Sequence, residues 1–221
     1  MPVSNTIALF GCRSPLIVHY LEPCLRRNQA VIGVSCSPQP RITANIEIIE
    51  LEAYRQRTMR HPGLACAFAP RQRQALWRIV EQTGCRPATT IIDPTAILPQ
   101  ALRLGQGGFL NAGTVIGGEC ILGNGVVINR AASIGHHCLI GDFVSIGPGA
   151  TLTGGIRVGS LAMIGAGATV LPNLRIDAGA VIAAGAVVRR HVSDHTLVAG
   201  HPARSLRYDV TQGVLNLPGE E

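Results

Sequence analysis

Between about Ile92 and Val188 the sequence repeats with a period of six, and this constrains its folding more than any other feature. Stepping by six from Ile92 meets an aliphatic residue every time: Leu98, Leu104, Leu110, Ile116, Leu122, Ile128, Ile134, Ile140, Ile146, Leu152, Val158, Ile164, Val170, Ile176, Ile182 and Val188. Four places after each stop the residue is usually small or apolar, as at Cys120, Ala132, Cys138, Ala150 and Ala168. A period of six matches neither the 3.6 of a helix nor the plain alternation of a strand. It matches a solenoid in which each hexapeptide makes one short side and three sides make one coil. The aliphatic residue then points inward, the small one fills the space beside it, and Gly and Asn serve the corners.

Seven cysteines without a Cys-x-x-Cys pair imply reduced thiols and a cytoplasmic setting rather than a disulfide or zinc framework. No apolar run has membrane-spanning length, and the N-terminus lacks a signal-peptide pattern. The net charge of +6 comes from arginine alone, since there is no lysine. With only 4% aromatic residues there are few platforms for stacking bases, so nucleic-acid binding is disfavoured and a phosphorylated small ligand suits the charge.

Ahead of the repeat, residues 1–92 read as a small α/β domain. Strands are expected at Thr6–Gly11, Ala30–Ser35, Leu64–Ala69 and Ala88–Ile92, and helices at Pro15–Asn28 and Pro70–Thr83. Ser14 would cap the first helix and Pro23 would kink it. The first turn, Gly11-Cys12-Arg13-Ser14, has a single glycine, and Val34-Ser35-Cys36 offers no ribose-binding acid, so a dinucleotide is not expected there. Gly11, Cys12, Arg13 and Ser14 are candidates for binding an anionic substrate at the helix N-terminus. A docking domain without a ligand is the alternative. Residues 93–190 form the solenoid, and 191–221 a cap and tail.

Within the repeat, Ile134-Gly135-His136-His137-Cys138 carries the strongest chemical signal. Ile134 and Cys138 point inward, leaving both histidines near a corner, where an imidazole can take a proton from an attacking amine or hydroxyl. A backbone N–H could hold the resulting oxyanion. Two adjacent histidines without a third ligand make a poor metal site, and none is expected.

Residues 129–204 resemble the hexapeptide-repeat, left-handed β-helix acyltransferases. Residues 5–207 as a whole resemble the sialic acid O-acetyltransferases and their relatives acetylating UDP-linked amino sugars. Ile128-Asn129, Ile134-Gly135-His136, Ile140-Gly141-Asp142-Phe143, Gly154-Gly155, Gly165-Ala166-Gly167-Ala168 and Val198-Ala199-Gly200-His201-Pro202-Ala203-Arg204 carry the likeness. The resemblance implies an α/β domain with a small Rossmann-like parallel sheet, then a left-handed parallel β-helix. It also implies acetyl transfer from acetyl-CoA to an amino or hydroxyl group of a sugar or nucleotide-sugar, in bacterial surface-glycan synthesis. His136 would be the catalytic base, His137 and Asn129 its active-site neighbours. Acetyl-CoA would lie between two protomers of a homotrimer near Ser145, Gly154, Ala166 and Ala184. The chain departs from the family at His137, where an acid usually follows the catalytic histidine; Asp142 is the nearest acid in sequence. A binding or scaffold protein on the same fold is the alternative reading.

Overall fold

A computed structural model describes residues 6–11, 17–36 and 46–206. The first part is a four-stranded parallel sheet of β1 (Ile7–Phe10), β2 (Val31–Ser35), β3 (Glu47–Glu50) and β4 (Gly63–Ala65), in the order β3-β2-β1-β4. Alternation along β1 sends Ile7 and Leu9 to one side, where α1 (Ile17–Arg26) supplies Ile17, Tyr20, Leu21 and Cys24. Ala8 and Phe10 face the other side, packing with Tyr54 of α2 (Leu51–Arg55) and Val80 of α3 (Pro70–Gln82). Helices on both faces of a parallel sheet are the expected arrangement.

One local expectation changes. The strand expected through Ala69 stops at Ala65, because Ala69 is the extended N-cap of a helix that Pro70 opens. Helix α1 runs on through Pro23, whose ring is buried. The Ser14 cap and the Pro15 helix start lie outside the described residues. β3 and α2 were not anticipated: the strand leads straight into the helix with no Gly or Pro between them.

The second part is a left-handed parallel β-helix. Its two-residue rungs form three faces. The first face carries Ile91–Ile92, Phe109–Leu110, Val127–Ile128, Ser145–Ile146, Met163–Ile164 and Val181–Ile182. The second runs from Val115–Ile116 to Val187–Val188, and the third from Arg103–Leu104 to Arg175–Ile176. Equivalent positions pair one coil apart, as Val127 with Ser145 and Ser133 with Thr151. The inward ladder is closed from Leu110 to Val188, with every aliphatic stop at most 4% exposed. Each such side chain contributes roughly 1.5–3 kcal/mol of burial, shared only between neighbouring coils.

Each face turns into the next through a four-residue corner whose third residue is left-handed: Ala131 in the first corner, His137 in the second and Phe143 in the third have φ of 54°, 57° and 57°. After Val188, where a cap was expected, the chain adds two further strands to the first-face sheet. Leu197–Ala199 pairs with Val181–Ile182, and Arg204–Leu206 turns back antiparallel to cover it.

The two parts join along the first face. Its outward side chains Ile91, Phe109 and Val127 belong to the same buried cluster as α1 and β1. Arg73 of α3 pins the joint. It is fully buried and donates from Nε to Gly125 O (2.6 Å), and from its two terminal nitrogens to Ala67, Phe68, Phe143 and Val144 O and to Ser145 Oγ (2.7–3.1 Å). Burial pulls its pKa down to about 10, so it stays cationic at neutral pH. Next to it, Trp77 meets the Phe143 ring edge-on at 5.4 Å.

Candidate active site

The corner between the second and third faces holds the histidines. His137 takes the left-handed slot, and its N–H donates to Gly118 O of the preceding coil (2.9 Å). Both rings are exposed and meet edge to face, with His136 Nδ1 2.9 Å from His137 Nδ1. One of these nitrogens carries the proton and the other accepts it. When His136 donates, its Nε2 keeps a free lone pair and can act as a base.

One coil below, Gly154 explains its own identity. A Cβ there would stand 2.7 Å from both Cε1 and Nε2 of His136, so only glycine leaves the imidazole its seat. The Gly154 carbonyl accepts from Asn173 N–H (3.0 Å), while its own N–H has no partner among the described residues. A base edge and an unbonded N–H therefore sit at one corner, the pairing acyl transfer needs.

The other expected site residues do not gather there. Asn129, Ala166 and Ala184 stand on the first corner, separated from His136 by the rungs of the second face. Asn129 Oδ1 accepts from Asn111 Nδ2 (2.9 Å) and Arg130 N–H (2.8 Å), so within one chain it belongs to an asparagine ladder rather than beside His136. It also lines a small hollow with His19, Tyr20, Phe68, Phe109, Asn111 and Val127. Burial, then Arg130, lowers the His19 pKa in that hollow. Ala166 and Ala184 are exposed.

Ser145 requires a correction. Expected beside acetyl-CoA, it is 0% exposed, donating to Phe68 O and accepting from Arg73 Nη2. The reason is its place on the outward ladder of the first face, which the α/β domain covers. Asp142, the acid nearest in sequence, is also misplaced for His136. It lies on the third corner, where Oδ1 accepts from Asn124 N–H (2.7 Å).

Gly11 ends β1 with φ of 98°, and a Cβ would press on Cys66 O at 2.9 Å, so packing alone accounts for it. Cys12, Arg13 and Ser14 lie outside the described residues. Among the described residues no three His, Cys, Asp or Glu side chains cluster as metal ligands would, and no helix is long and apolar enough to cross a membrane. Gly154 was expected beside acetyl-CoA, and its place against His136 went unread; the signal was the 18-residue step from His136, the coil length that stacks Asn111 on Asn129.

The inward six-residue ladder and the three faces are those of a hexapeptide-repeat solenoid. Residues 119–154 match the family model described as bacterial transferase hexapeptide (six repeats). The structure is similar to that of a variant of perosamine N-acetyltransferase from Caulobacter crescentus, solved with CoA and GDP-perosamine. That likeness has 27% identity, 91% coverage of this chain, 96% of the other and a TM-score of 0.84. It is also similar to the acetyltransferase domain of PglB from Neisseria gonorrhoeae, at 25% identity, 91% and 100% coverage and a TM-score of 0.84. WeeI from Acinetobacter baumannii shares the fold at 22% identity, with 91% and 99% coverage and a TM-score of 0.81. Comparison with curated proteins gave no match. The chain thus carries a hexapeptide repeat over residues 119–154 and, over its described length, is similar in structure to acetyltransferases that join a small α/β domain to a left-handed β-helix.

Proposed function

We propose that this protein transfers an acetyl group from acetyl-CoA to the amino group of a nucleotide-linked amino sugar. The observation that carries the reading is the second corner, where the Nε2 edge of His136 lies against Gly154 and its unbonded N–H. The sugar nitrogen attacks the thioester carbonyl, and His136 Nε2 takes the proton that the nitrogen loses. The Gly154 N–H holds the oxyanion until the C–S bond breaks, and the released thiolate takes the proton from His136 Nε2, which restores the base. No acyl-enzyme forms. The choice of an amine rests on the perosamine enzyme, similar over 96% of its length and solved with CoA and GDP-perosamine.

The first corner, with Asn129, Ala166 and Ala184, completes the groove from a second copy in a homotrimer. Small exposed side chains there leave room for a pantetheine chain. The α/β domain reads the nucleotide at the C-terminal end of its sheet, around Gly11 to Ser14. The setting is cytoplasmic, in surface-glycan synthesis.

The test is thiol release from acetyl-CoA against GDP- and UDP-linked amino sugars, free amino sugars and sialic acid. Release that needs a nucleotide-linked amine and falls about 100- to 10,000-fold in His136→Ala is the expected result. Acetyl-CoA binding without turnover on any acceptor would overturn it in favour of a binding protein.

A further inference from the structure

The Nδ1–Nδ1 contact makes the direction of one proton decisive. His136 is a base only when it donates from Nδ1, which requires His137 to accept at Nδ1 and carry its own proton on Nε2. The reverse direction leaves the proton on His136 Nε2 and moves the basic lone pair to His137 Nε2, off the ring that lies against Gly154. An acceptor for the His137 Nε2–H would hold the productive direction.

Carboxylates are scarce on the β-helix. Asp142 caps the third corner, Asp177 pairs with Arg175 (2.7 Å), and Asp93 is bound to Arg26 (2.9 Å) where the helix begins. Glu119 alone stands on the second corner. It occupies the slot of His137 one coil above, with φ of 60° against 57°. Equal backbone conformations at stacked positions send the two side chains out in parallel, on rungs about 4.8 Å apart. The bond from His137 N–H to Gly118 O locks that register. Glu119 is exposed and holds no hydrogen bond or ion pair among the described residues.

We infer that Glu119 is a positioning residue: its carboxylate accepts the His137 Nε2–H and so orders a Glu119–His137–His136 chain that leaves His136 Nε2 free. The inference rests on the acetyltransferase reading for its purpose, but its structural content stands apart from turnover. His137 here does the orienting work of an acceptor, and the acid that fixes its tautomer comes from the coil above.

The experiment is ¹⁵N NMR of histidine-labelled full-length protein, read beside steady-state kinetics. The wild type is expected to show His136 as the Nδ1–H tautomer and His137 as the Nε2–H tautomer. Glu119→Gln should populate the opposite tautomers of both rings and lower kcat about 5- to 20-fold with KM for acetyl-CoA unchanged. Adding His137→Glu to Glu119→Gln should restore kcat, since a carboxylate then accepts directly from His136 Nδ1–H. Unchanged tautomers in Glu119→Gln, or a kcat loss that His137→Glu does not rescue, would overturn the inference. If no acceptor supports turnover, the tautomer populations still decide it, while the acetyltransferase reading fails by itself.

Discussion

The outward side chains of the β-helix occupy the same repeat position on all three faces, yet they meet different fates. On the second and third faces Val115, Ile121 and Leu139 are each 40% exposed. On the first face Phe109, Val127 and Ser145 are buried under the α/β domain, at 3% exposure or less. The period therefore dictates what points inward, because each coil builds its own interior from its own residues. What covers an outward position depends on which other part of the molecule docks there, and no period of six encodes that.

The sharpest way to break this contrast is Arg73→Ala. It removes the donor from the carbonyls of Gly125 and Phe143, and one of two donors from those of Ala67, Phe68 and Val144, which keep the Tyr20 hydroxyl, the Ser145 hydroxyl and the Val127 N–H. Each orphaned acceptor costs about 1–3 kcal/mol, with water recovering part, so a loss of about 3–5 kcal/mol is expected in urea unfolding. The α/β domain should then melt ahead of the β-helix, splitting one transition into two. A single transition at the wild-type midpoint would show that the covered face does not depend on this joint.

Asp93→Asn probes the same seam more gently. Burial alone would raise the Asp93 pKa, but hydrogen bonds from Thr95, with Arg26 and Arg27 beside it, outweigh burial and hold it below its usual value. A lowered folded pKa means stability that is present above the unfolded value and lost as pH falls through the folded one. The variant should be about 1.5–3 kcal/mol less stable at pH 7. That deficit should shrink below about pH 4. A deficit that does not change with pH would assign the effect to packing instead.

Gly154→Ala should act on rate with little effect on stability. Its φ is not left-handed, so alanine fits the backbone, and the clash falls on the movable His136 ring. Acetyl transfer should drop about 10-fold or more while the unfolding midpoint shifts by under about 0.5 kcal/mol. A variant with full activity would show that the ring need not lie on that glycine.

These contrasts also separate what the sequence made legible from what it did not. The inward ladder, the corners and the placing of His136 and His137 followed from phase alone. The pairing of His136 with Gly154 was readable as one coil length, once a coil was known to be 18 residues. Ser145 was misread because its neighbours, Phe68 and Arg73, come from a domain with no period to count. The resemblance made Asn129 an active-site neighbour of His136, but at a solenoid corner seven residues carry the chain around to another edge of the prism, so within one chain the two lie apart. β3 and α2 escaped because Glu47-Ile48-Ile49-Glu50 runs into Leu51 without a Gly or Pro to mark the change.

The buried arginine also limits how this molecule can be recombined. Two of the backbone carbonyls it satisfies, at Gly125 and Phe143, belong to the β-helix and would remain behind without a donor if the N-terminal domain were exchanged, whereas Val144 would keep the Val127 N–H. A chimera bearing a new acceptor domain must therefore supply a fork of donors at that one point, or fill it with water. Specificity in such a chain is modular in sequence but keyed in space, and Arg73 is the key.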